Sequence, residues 1–307
     1  MRATGLSHIS WPASTRLSTS EPPQPHGPRL AGLLRVVHPF PSVLNAAASI
    51  AVALIAGAAP GVALRLGLAM LCLQFAIGSA NDYVDAPSDA VAKPGKPIPA
   101  GLLQRRAARA VSVLMASAGL VVAAGVGPAA FGVGLCGLGL GLVYDLRLKG
   151  TPFSWAAFAL GVGLLPLYAW LGARGSVPAG LAGVVALAIV AGSVLAIANA
   201  YSDLEADGLS GTESVATFLG PTATLMMDAC LLATVEALVL ATTVAAAPGP
   251  VLAVEAAGCC LTWLGVGLAV ARRSKAGALM WEMHALGILV LGAGWLAALS
   301  SAGLLDG

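Results

Sequence analysis

Apolar residues run along this chain in blocks of about twenty, with almost no alternation inside a block. A block of that length suits an α-helix crossing the hydrocarbon core of a bilayer. Nine are read, at about 36–59, 61–83, 107–126, 128–146, 153–172, 178–201, 219–246, 250–271 and 281–303. Backbone groups in lipid must be satisfied within a helix or a closed barrel. Continuous runs without a period of two exclude the barrel, so the expected fold class is an all-α integral membrane protein with nine transmembrane helices. Frequent Gly and Ala suit close helix–helix approach in lipid, and Pro39, Pro41 and Pro166 are expected to start or kink helices.

Composition agrees. Of 307 residues, 58% are hydrophobic and only 10% charged, against about a quarter charged in a soluble domain. Residues 1–30 are different: rich in Ser, Thr and Pro, as in STSEPPQPHGP, they are expected to be a disordered tail ahead of a transmembrane domain at 31–307. No signal-peptide pattern is read there. With nine spans, Arg2, Arg16, Arg29, Arg35, Lys93, Lys96, Arg105, Arg106, Arg109, Arg147, Lys149, Arg272, Arg273 and Lys275 share one side, leaving Arg65 and Arg174 opposite. The positive-inside rule makes the crowded side cytoplasmic, with the N-terminus on it, and the expected location is the cell inner (cytoplasmic) membrane. A net charge of +2 indicates no nucleic-acid partner. Cys72, Cys136, Cys230, Cys259 and Cys260 lie within spans, lack metal-ligand spacing and read as small apolar fillers.

One polar stretch interrupts the pattern. Span 2 ends in Asn81-Asp82-Tyr83-Val84-Asp85-Ala86-Pro87-Ser88-Asp89, and span 6 ends in Asn199-Ala200-Tyr201-Ser202-Asp203-Leu204-Glu205-Ala206-Asp207. Both read N-x-Y-x-D-x-x-x-D, four spans apart, which suggests a duplicated four-helix unit with a ninth helix added. At 3.6 residues per turn Asp82, Asp85 and Asp89 share a face as far as helicity persists past Pro87, and Asn199, Asp203 and Asp207 form a matching stripe. Like charges at these spacings repel, so a cation should offset them. Solvated helix ends would explain one such cluster more easily than two in the same phase on the same side. Mg²⁺ takes oxygen from one or two carboxylates and fills its shell with water and phosphate oxygens. Five aspartates round one mouth suit two or three Mg²⁺ ions bridging a diphosphate.

Basic residues stand nearby. Lys93, Lys96 and Lys149 are placed to neutralise a departing phosphate, with Arg147 in the same loop as Lys149. Arg105, Arg106, Arg109 and the group at 272–275 are expected only to obey the charge bias. Tyr144 is placed to hydrogen-bond a diphosphate or hold a cation on its ring face, or to act as an ordinary interfacial tyrosine. Arg35, His38 and Asn45 recur on one face of the first span and either line an acceptor pocket or serve the helix start. Asp228, Glu282 and His284 read as interfacial, whereas Glu236 and Glu255 read as a structural hydrogen bond between spans 7 and 8.

Together, N-D-x-x-D-x-x-x-D, the proline-rich KPGKPIPAG, Y-x-x-x-x-K and D-x-x-x-D resemble the UbiA superfamily of intramembrane prenyltransferases, from about Arg35 onward. The resemblance implies a central cavity open to the cytoplasmic side. It implies that Asp82, Asp85, Asp89, Asp203 and Asp207 bind Mg²⁺ and diphosphate, that Asn81 and Asn199 orient the site, and that Lys93, Lys149 and Tyr144 engage the diphosphate. Ala200 departs from the family pattern, where Asp is common, and should weaken metal binding on that side. The tail KPGKPIPAG is closer to members that prenylate glycerol-phosphate lipids, chlorophyllides or homogentisate-like acceptors; K-R-T is absent.

The implied reaction is ionisation of an allylic polyprenyl diphosphate and capture of the cation by a hydrophobic, aromatic or lipid acceptor, away from water. A terpene cyclase using the same donor without an acceptor, a multi-span transporter, and a relative that has lost catalysis remain as rivals. Transporters place polar sites near the midplane rather than at one face.

Overall fold

The computed structural model describes residues 29–244, 249–271 and 276–305. All but two residues of the 1–30 segment, and the 272–275 group, fall outside them; Leu30 already begins a helix. Among the described residues the architecture is α-helical without strands: α1 (Leu30–Val36), α2 (Pro39–Ile55), α3 (Pro60–Ala92), α4 (Arg105–Val126), α5 (Pro128–Val143), α6 (Ser154–Arg174), α7 (Leu181–Ser210), α8 (Val215–Leu219), α9 (Pro221–Thr243), α10 (Gly249–Val270) and α11 (Ala276–Ser301). Among the described residues eight helices are long and apolar enough to cross a membrane, and the pair α1–α2 makes nine only if its 53° bend is counted within one span.

That bend corrects the first expected span. His38 adopts a left-handed conformation, φ 49°. Pro39 supplies no N–H and pushes its predecessor out of the right-handed helical region, so the helix restarts after it. Pro166, by contrast, is accommodated inside α6.

The two motif-bearing helices outrun their apolar blocks. α3 ends at 92 rather than 83, and α7 at 210 rather than 201. With 33 and 30 residues, they measure roughly 50 and 45 Å at 1.5 Å per residue, against about 30 Å of hydrocarbon. Their acidic ends therefore remain helical beyond the apolar blocks, and Gly211, at φ 69°, terminates α7 in a left-handed cap.

The largest buried cluster joins α2 through α7, α9 and α11 and includes Leu66, Tyr168, Trp170 and Leu291. Toward the ends opposite the acidic motifs, Tyr168 Oη donates to the Leu66 carbonyl at 3.1 Å and Arg174 Nε to that of Ala56 at 2.6 Å. α10 and α11 approach backbone to backbone: a Cβ at either Gly258 or Gly287 would lie 2.8 Å from the other's carbonyl oxygen. Large apolar side chains such as Leu64, Val121, Phe131 and Met226 stay exposed, as lipid contact requires.

Candidate active site

The last three turns of α3 carry the first carboxylates. Asp82 is 3% exposed. Its Oδ1 lies 3.0 Å from His38 Nε2 and 2.9 Å from Lys96 Nζ. The same lysine reaches Asp89 Oδ2 at 2.9 Å, so one ammonium spans two turns of the stripe. Burial alone would lower the Lys96 pKa, but Asp82 and Asp89 outweigh it and raise it to about 12. Asp85 pairs with Lys149.

The acidic end of α7 meets that of α3. Lys93, the cap of α3, places Nζ 2.7 Å from Asp203 Oδ1. Lys149, already bound to Asp85, lines a cavity together with Tyr144, Asn199, Asp203 and Asp207. Ala200, where the family pattern commonly has Asp, is among the residues lining the same cavity and packs with Ile197, Val215 and Ala216. Tyr144 is within electrostatic reach of Asp85 from α3 and of Asp203 and Asp207 from α7.

Sequence reasoning missed one carboxylate. After α5 the backbone widens into a single π turn, Tyr144–Leu148, a local irregularity that recurs at functional sites. It carries Asp145, 4% exposed, whose Oδ1 accepts a 3.0 Å hydrogen bond from Asn81 Nδ2. Asp145 Oδ2 and Asp82 Oδ2 are buried without a hydrogen-bond partner among the described residues. Buried carboxylate oxygens of this kind call for a cation. Among the described residues no three His, Cys, Asp or Glu side chains form a metal cage by themselves. The donor set thus fits a hard cation that takes part of its shell from a ligand's oxygens. In the sequence, Asp145 stands alone in VYDLRLKG, with no periodic partner to single it out.

Beside this polar mouth is an apolar cavity of about 150 Å³, lined from α2, α6, α7, α9 and α11. The two adjoin on α7: Leu195 lines the apolar cavity and Ala196 the polar one. Asn45 lines the apolar cavity. Of its companions on that face of the first span, His38 stands at the start of α2, the other of the two readings. Arg35 Nη2 donates to the Gly95 carbonyl at 2.7 Å and secures the loop after α3, while His38 belongs to the Asp82 cluster. Arg147 is exposed and shares none of these contacts among the described residues.

The interfacial reading also fails for two residues. Asp228 and His284 are both 0% exposed and pair at 2.9 Å between α9 and α11, each giving the other a hydrogen-bond partner in an apolar surround. Glu282 is exposed. Glu236 accepts from Thr262 and Trp263, and Glu255 from Thr243, so both bond α9 to α10 as expected.

Residues 42–286 match the model of the UbiA prenyltransferase family. A digeranylgeranylglyceryl phosphate synthase of Methanoregula boonei is 31% identical over 196 residues, 62% of this chain and 68% of that one. Two solved structures share the fold. A UbiA homolog from Archaeoglobus fulgidus bound to GPP and Mg²⁺ gives a TM-score of 0.65 at 18% identity, covering 85% of this chain and 99% of the other. The apo structure of a UbiA homolog from Aeropyrum pernix K1 gives 0.68 at 20%, covering 85% and 97%.

Proposed function

The chain belongs to the UbiA prenyltransferase family, and from that premise we propose that it transfers a prenyl group from an allylic polyprenyl diphosphate to a membrane lipid acceptor of glyceryl-phosphate type, with release of diphosphate. The observation that carries this reading is the contact of Lys93 with Asp203, which brings the ends of α3 and α7 to one mouth above an apolar cavity. The acceptor class follows the KPGKPIPAG tail and the naming of relatives such as that of Methanoregula boonei.

Asp82, Asp85 and Asp89 from one side, and Asp203 and Asp207 from the other, would hold Mg²⁺, two or three ions, together with the donor diphosphate. Bound Mg²⁺ supplies Lewis-acid stabilisation of the charge that develops on the leaving group. Asn81, oriented by Asp145, and Asn199 complete the ring of oxygen donors. Lys93, Lys96 and Lys149 shift from carboxylate to diphosphate oxygens as the bond from oxygen to the allylic carbon breaks and its electron pair leaves with the diphosphate. The prenyl tail occupies the apolar cavity, whose walls keep water from the allylic cation. Tyr144 offers its ring face to that cation. The acceptor hydroxyl oxygen attacks the allylic carbon and its proton leaves to solvent at the mouth. Nine of the described basic residues, among them Lys93, Arg105 and Lys149, lie toward this mouth, against Arg65 and Arg174 toward the opposite ends, a bias that supports a mouth facing the cytoplasm.

The test is direct. Purified protein is incubated with Mg²⁺, prenyl diphosphates of several lengths and a panel of glyceryl-phosphate, aromatic and tetrapyrrole acceptors, and products are read by mass. Diphosphate release coupled to a prenylated glyceryl phosphate is the expected result. A cyclised hydrocarbon from donor alone would replace transfer by cyclisation, and no release under any condition would overturn both.

A further inference from the structure

Pro87 lies inside α3, between Asp85 and Asp89. Proline has no N–H, so the carbonyl of Tyr83, four residues back, loses its donor within the helix. Helices kink at such places, and a kink here would swing Asp89 out of phase with Asp82 and Asp85. α3 nevertheless continues to Ala92. Arg105, the first residue of α4, reaches back over the connecting loop. Its Nε donates to the Tyr83 carbonyl oxygen at 2.8 Å, and its guanidinium lies 4.6 Å from the centroid of the Tyr83 ring. That ring packs with Val36, Leu103 and Ala108, which fixes the start of α4 against α1 and α3. Beyond the proline, Lys96 ties Asp89 back to Asp82.

A general charge bias needs no guanidinium directed at one backbone oxygen. Arg106 next door illustrates the difference: its Nε donates to the Gln104 side chain two residues away. We infer that Arg105 is a positioning residue, standing in for the N–H that Pro87 lacks and so keeping Asp89 aligned with Asp82 and Asp85. This rests on reading those aspartates as the metal–diphosphate site.

The inference is tested on the full chain with Arg105→Ala, Pro87→Ala and the double variant, measuring binding of inorganic diphosphate as Mg²⁺ is titrated. Arg105→Ala should weaken binding by about tenfold, the scale of one charge-assisted hydrogen bond. Pro87→Ala restores a backbone N–H at that position; alone it should leave binding unchanged, and in the double variant it should return affinity to within about twofold of the parent. A merely electrostatic or globally stabilising arginine would not be rescued by a backbone N–H. Unchanged binding in Arg105→Ala, or a double variant as weak as the single one, overturns the inference. If Arg105→Ala alone does not fold, recovery of the fold in the double variant supports it and continued failure overturns it. Asp85→Asn serves as the separate control: full Mg²⁺–diphosphate binding in that variant sinks the reading of the site itself, whatever Arg105 does.

Discussion

Lys93 Nζ and Asp203 Oδ1 lie 2.7 Å apart, although 110 residues separate them. The pair joins the cap of α3 to the acidic end of α7, and both partners are about one-third exposed. A pair so open to solvent adds little to stability. Its significance is geometric: two acidic helix ends face one space.

Replacing Asp85 or Asp203 with Ala should lower turnover at least about a hundredfold, a few kcal/mol of transition-state stabilisation. Chelation of Mg²⁺ should abolish product formation and its return should restore it. Steady-state rates of diphosphate release check both. Turnover within threefold of the parent in either variant would remove that residue from the chemistry.

Asp145 should act through Asn81. Asp145→Ala frees the Asn81 amide and should raise the Mg²⁺ concentration needed for half-maximal rate roughly tenfold. Asp145→Asn keeps an acceptor oxygen for Asn81 and should recover most of that loss. Equal losses in the two variants would assign Asp145 a role through its charge.

Ala188 lines the apolar cavity on α7, eight residues before Ala196 at the polar mouth. That places it about 12 Å deeper along the helix. Ala188→Phe should therefore obstruct long prenyl tails and spare short ones. Competition between donors of different length, with products resolved by mass, reads the shift in preference.

The buried Asp228–His284 pair should be structural, with its cost exposed by removing one member. His284→Ala leaves a carboxylate unpaired at a fully buried position, which typically costs about 3–5 kcal/mol. The double replacement Asp228→Leu with His284→Leu should be less damaging than the single one. Thermal unfolding in detergent orders the variants.

Charge legibility differed from residue to residue. Asp82, Asp85 and Asp89 were found by spacing, because a helix converts intervals of three and four residues into one face. Asp145 was not, because a π turn departs from that spacing. Arg105 looked like one more positive charge beside the membrane, since nothing in its local sequence reveals a bond to a carbonyl 22 residues earlier. Asp228 and His284 looked interfacial because their burial depends on α9 and α11 meeting, 56 residues apart in sequence.

By itself the sequence determined the membrane-spanning helical class, the two acidic helix ends and the apolar blocks between them. These follow from local hydropathy and helical period, which neighbours in the chain set without help. Only the tertiary structure decided which polar groups meet: Lys93 with Asp203, Lys149 with Asp85, Asn81 with Asp145, and Arg105 with the backbone of Tyr83. Such pairings depend on how separate helices cross, and crossing is fixed by side-chain packing summed over the whole bundle.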